Sequence, residues 1–166
     1  SVAKLATTYA GLDLLGPNFS WKTPVWLDGL VRDGVLHGNL VIQGQGDPTL
    51  VLERLWLLLR RVQALGVRSI AGDIVLDRSA FALPPSDPAA LDGDPLRPYN
   101  VAPDALLVNF KTVVLTPTPE AGQARIRVTP TLAGVQWPAA GPLARGACGA
   151  WPTALQADFS NPLQGR

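Results

Sequence analysis

Backbone punctuation constrains this chain most. It carries 16 Gly and 16 Pro, about a fifth of its 166 residues, spread from end to end. Gly and Pro interrupt helices and central strands, so a helical bundle is excluded and many turns and long connections are required. Hydrophobic residues make up 47% of the sequence and charged residues 16%, which is too apolar for intrinsic disorder. The net charge of +1 lacks the basic excess that phosphate neutralisation demands, so no nucleic-acid partner is expected. The apolar run Leu55 to Leu59 is far short of the roughly 20 residues needed to cross a bilayer.

The periodicity divides the chain into segments. Residues 1–16 have helical spacing at Leu5, Tyr9, Leu12 and Leu15, a capping Ser1 and a stop at Gly16-Pro17, and their small apolar residues predict a buried helix. Phe19, Trp21, Val25 and Leu27 read as extended chain, Asp33-Gly34 as a hairpin turn, and Val35 to Ile42 as a second strand. In Gly44 to Pro48, Asp47 is expected to cap a helix over 49–65 with Pro48 at its first position. Leu55, Leu58, Leu59, Val62 and Leu65 would form that helix's apolar stripe. A strand over Ile70 to Leu76 completes a β-β-α-β unit of α+β type. Residues 81–103 form a long loop rich in Pro and Asp, and such loops often carry function. Strands are predicted at Leu106 to Leu115 and Ala124 to Thr129 around a turn at Glu120-Ala121-Gly122. The signal weakens after Gly134.

The first four residues, S-V-A-K, carry the sharpest chemical hint. Ser1 and Lys4 stand one helical turn apart on one face. A neutral lysine amine there can accept the hydroxyl proton as the serine attacks a carbonyl, and burial and the positive end of the helix dipole both favour the neutral amine. The bland alternative is a capping serine beside a solvated lysine. His37 reads as a surface histidine, and one His with one Cys disfavours a structural zinc site; no metal or cofactor is expected. Cys148 is either a small buried thiol or a half-cystine with a partner outside the chain.

Collinear blocks sharpen the hint. S-V-A-K-L-A-T-T-Y-A-G-L-D-L-L-G-P-N-F-S-W, D-G-V-L-H-G-N-L (33–40), G-Q-G-D-P-T-L (44–50), I-A-G-D-I-V-L-D-R-S-A-F (70–81) and R-P-Y-N-V-A-P-D-A-L-L-V-N-F (97–110) together resemble the D-alanyl-D-alanine carboxypeptidases/endopeptidases of the penicillin-binding protein 4 type. The resemblance covers about residues 1–115. It implies the serine-bearing helix of a penicillin-binding/transpeptidase fold (1–18), followed by an inserted α+β domain with a long loop (19–103) and the start of a further β-rich insertion (104–166). It implies Ser1 as acylated nucleophile and Lys4 as general base, acting on peptidoglycan stem peptides and acylated by β-lactams. Asp92, Asp94 and Tyr99 lie in a stretch where the family contacts the substrate, and a carboxylate there can pair with the free amine of a diaminopimelate stem; the alternative is a solvated Asp-Gly-Asp-Pro turn. A periplasmic location is implied, with the signal peptide absent from this chain, and peripheral association with a membrane or with cell-wall proteins is left open.

The sequence departs from the family pattern in two motifs. No serine begins an S-x-N, and Lys22-Thr23 and Lys111-Thr112 are followed by Pro24 and Val113 rather than glycine, so no K-T-G occurs. The expectation is an incomplete fragment, inactive alone. A non-catalytic docking or structural module in the cell wall is the alternative function.

Overall fold

A computed structural model describes residues 2–143. The described residues fall into two compact units that divide between Lys111 and Thr112. Cys148 lies outside the described residues.

The first unit begins with helix α1 (Val2–Leu15), which ends where Gly16 turns back and its N–H donates to the Leu12 carbonyl at 3.0 Å. The predicted burial of this helix is not found: no residue of α1 is buried, and Val2, Leu5 and Leu12 are exposed. The small apolar residues that suggested a core helix meet no covering element among the described residues.

Strands β1 (Val25–Arg32) and β2 (Val35–Gln43) pair antiparallel through Asp33-Gly34. Both turn residues have positive φ, 51° and 83°, the pairing of a two-residue hairpin whose twist matches its strands. Helix α2 (Leu52–Ala64) follows, and β3 (Ser69–Ile70) and β4 (Ile74–Asp77) return parallel to β2. Leu36 pairs with Ile70 and Leu40 with Ile74 in one continuous register. The single predicted strand over 70–76 is therefore interrupted at Ala71-Gly72-Asp73. There the Asn39 side chain accepts the Asp73 N–H at 2.9 Å.

Side chains alternate along β2, so Leu36, Leu40 and Ile42 share one face. They pack with Leu50, Val62, Val67 and Leu106, flanked by Val25, Leu27, Ile70 and Val108. From the predicted stripe of α2, Val62 is buried and Leu55 and Leu58 are half-buried, but Leu65 lies past the helix and Leu59 at its margin, both exposed. The predicted cap also differs. Val51 occupies the N-cap with no side-chain bond, while Asp47 Oδ1 accepts the N–H and the hydroxyl of Thr49, each at 2.8 Å. Asp47 thus closes its own turn, the local alternative open to a short carboxylate, and the helix starts later.

The strand predicted over 106–115 begins only at Val114, and residues 106–113 form a non-strand segment. Asn109, Phe110 and Lys111 all have positive φ, 49°, 54° and 53°, and Asn109 N–H donates to the Leu50 carbonyl at 2.9 Å. The apolar run is real, but its residues pack on the core singly: Leu106 and Val108 join the β2 cluster. The first unit runs to Lys111.

In the second unit, β5 (Val114–Glu120) and β6 (Gln123–Thr129) form a hairpin, and β7 (Ala140–Pro142) pairs with β6. Pro117 and Pro119 lie in β5, an edge strand, where a missing N–H costs least. Ala124, Ile126 and Val128 turn to the half-buried face while Arg125 and Arg127 face water.

Candidate active site

The S-V-A-K serine lies just outside the described residues, and Lys4 stands in the first turn of α1. The helix runs where the sequence places it, though without the predicted burial. The Thr7 hydroxyl donates back to the Ala3 carbonyl at 3.0 Å, which occupies the side of α1 between Ala3 and Thr7. Lys4 is exposed, so the burial invoked to favour its neutral amine is not supplied by the described residues. No group of three or more His, Cys, Asp or Glu side chains that could hold a metal occurs among the described residues. His37 is exposed on the ladder beside Leu30.

The three other expected residues do come together. Asp92 Oδ2 accepts the Tyr99 hydroxyl at 2.5 Å, and its Oδ1 accepts the Asp94 N–H at 3.1 Å. Two residues that sequence reasoning had not singled out complete the cluster. Asn100 Nδ2 donates to Asp92 Oδ1 at 2.6 Å and to the Asp94 carbonyl at 2.8 Å, and Arg97 Nε donates to Asp94 Oδ2 at 2.8 Å. Asp94 Oδ1 also accepts the Leu96 N–H at 3.1 Å. The fragment R-P-Y-N held the signal: Pro98 opens a short 3₁₀ turn, Pro98–Asn100, which presents Tyr99 and Asn100 back toward Asp92.

The two carboxylates therefore differ. Asp92 is consumed by internal donors, whereas the Asp94 side chain stays 43% exposed with only Arg97, itself exposed, set against its outer oxygen. An exposed i,i+3 pair of this kind contributes little and is easily exchanged for another cation. The turn lies at the surface and is internally bonded.

The Tyr99 hydroxyl, the Asp94 N–H, Asn100 and the nearby Arg97 charge hold Asp92 below the ordinary carboxylate value of 3.8, against the effect of desolvation. Reciprocally, the Asp92 carboxylate holds the Tyr99 phenol above 10.0. A depressed native pKa contributes stability that is present above the ordinary value and is lost as pH falls through the lower native one. The 92–100 turn should therefore keep its bonds down to pH 3.8 and loosen below it. In a phenolate absorbance titration, the step removed by Tyr99→Phe should lie above pH 10.0, and Asp92→Asn should bring it down toward that value. A step unmoved by Asp92→Asn would show that the bond is not formed.

Comparison with known proteins decides the relationship. The family model described as "D-Ala-D-Ala carboxypeptidase 3 (S13) family" matches residues 1–161. The chain belongs to the S13 family. Within it, the chain is 35% identical over 82 residues to D-alanyl-D-alanine carboxypeptidase DacB of Haemophilus influenzae, a match covering 49% of this chain and 17% of that protein. It is 38% identical over 79 residues to the D-alanyl-D-alanine carboxypeptidase of Actinomadura sp. (strain R39), covering 47% of this chain and 14% of that protein. The crystal structure of penicillin binding protein 4 (dacB) from Haemophilus influenzae superposes with a TM-score of 0.59 at 28% identity, covering 76% of this chain and 29% of that one. The resemblance read from the collinear blocks is borne out. The mixed α/β architecture matches that penicillin binding protein 4 structure, and this chain spans less than a third of its length.

Proposed function

We propose that this S13 chain is part of a serine-type D-Ala-D-Ala carboxypeptidase/endopeptidase acting on peptidoglycan stem peptides in the periplasm. The observation that carries the proposal is the family match over residues 1–161, with S-V-A-K at the start of a helix. In this reading α1 is the serine-bearing helix of the transpeptidase fold and the β-rich units are its insertions. Ser1 Oγ attacks the carbonyl of the penultimate D-alanine while Lys4 Nζ takes the hydroxyl proton. The tetrahedral adduct collapses, the bond to the terminal D-alanine breaks, and its amine leaves with that proton. Water then hydrolyses the acyl-serine ester and regenerates Ser1. A β-lactam enters the same acylation step through its strained amide.

The Asp94 carboxylate, exposed and paired with an exchangeable cation, is the group suited to meet the free amine of the stem's diaminopimelate residue. Asp92 and Tyr99 shape the turn that holds it. The chain by itself lacks S-x-N and K-T-G and is inactive alone in this reading.

The test uses the complete protein. It should release D-alanine from a pentapeptide stem and be labelled covalently by a fluorescent penicillin, while the 166-residue chain should do neither. A complete protein that showed neither reaction would overturn the enzyme reading in favour of a docking module.

A further inference from the structure

Asp94 has both of its main-chain polar groups tied to neighbouring side chains. Its N–H goes to Asp92 Oδ1 at 3.1 Å and its carbonyl to Asn100 Nδ2 at 2.8 Å. Asn100 is 9% exposed, the one buried polar residue among those described, and its second contact, to Asp92 Oδ1 at 2.6 Å, binds the two clamps together. A primary amide has two N–H donors, and this geometry uses both on one turn. The Asp94 side chain stays 43% exposed, with the local Leu96 N–H on one oxygen and the exposed Arg97 on the other.

We infer that Asn100 is a positioning residue: its amide locks the main chain of Asp94 and thereby fixes where the Asp94 carboxylate meets the substrate's amine. The inference rests on the reading that Asp94 receives that amine. An ion pair formed by a single side chain on a surface turn is only as selective as that turn is rigid, because displacement of about 1 Å can remove much of a positioning effect. Asn100 supplies the rigidity as a buried side chain with both amide hydrogen bonds spent on this turn. Arg97 keeps the carboxylate occupied until a competing amine replaces the guanidinium.

The experiment compares two pentapeptide stems that differ only in whether the side-chain amine is free or acetylated, hydrolysed by the complete protein. The readout is the ratio of their kcat/KM values. The wild type should favour the free amine. Asn100→Ala should lower that ratio roughly tenfold, through a raised KM for the free-amine peptide. Asn100→Asp keeps the shape but removes both donors, and it should act in the same direction. A purely structural role would slow both peptides together and leave the ratio unmoved, which would overturn the inference. Asp94→Asn separates the two levels. If it abolishes the preference while both Asn100 variants retain it, the positioning role fails and the reading of Asp94 stands. If the preference survives Asp94→Asn, the reading of Asp94 fails and takes this inference with it.

Discussion

Ser1→Ala in the complete protein is expected to abolish labelling by a fluorescent penicillin and to lower D-alanine release by roughly a thousandfold or more. The magnitude follows from the chemistry. In the proposed mechanism the acyl-enzyme forms on this hydroxyl, and without it the remaining groups can only orient water against a peptide bond. Lys4 is one turn along α1, so Lys4→Ala should slow acylation strongly while leaving the nucleophile in place. Intact-mass measurement after incubation with the β-lactam checks both variants, since the adduct adds the full mass of the drug. A Ser1→Ala protein that still gained that mass would move the nucleophile elsewhere.

The second large effect is on stability. Gly29 and Gly38 face each other across the β1–β2 ladder. Both have φ near +155°, and a Cβ on Gly38 would overlap the Asp28 carbonyl oxygen and come within 2.8 Å of the Gly29 Cα. These neighbours are backbone, so no rotamer change relieves the contact. The strands must separate, and β2 is the strand on which β1, β3 and β4 all pair. Gly38→Ala should therefore cost about 3 kcal/mol or more, the range of severe packing and backbone lesions. A urea unfolding curve of the chain measures it. A loss under about 1 kcal/mol would show that the ladder opens at this point with little penalty.

Much of the fold was legible in the sequence because it is encoded locally. Asp33-Gly34 between two apolar alternating runs specifies a hairpin, and the structure has it, with both residues at positive φ. The spacing through Leu55, Leu58 and Val62 specifies the buried side of α2. Gly122 between Glu120 and Gln123 specifies the second hairpin. The misreadings share a different origin. An apolar run at Leu106 to Leu115 looks the same to a periodicity argument whether it pairs as a strand or packs residue by residue. Contact with Leu50 and the β2 cluster decided for the latter. Asp47 offered a cap, but its carboxylate bonds Thr49 within its own turn, and the helix start at Val51 has no side-chain cap.

The candidate site divides the same way. The sequence by itself determined the family, through ordered blocks from S-V-A-K to R-P-Y-N, and it supplied the pair proposed for acyl transfer, since Ser1 and Lys4 need only helical spacing to share a face. It also determined that S-x-N and K-T-G are not within these 166 residues. It could not rank Asp92 against Asp94, because two carboxylates two positions apart in one turn are equivalent in composition and charge. Only the tertiary structure separated them. The turn at Pro98–Asn100 brings Tyr99 and Asn100 back onto Asp92, spending its oxygens on internal donors and holding it ionised, while Asp94 is left outward with an exchangeable partner. The physical reason is that hydrogen bonds between residues seven and eight positions apart depend on how a loop closes, which no residue in it specifies alone.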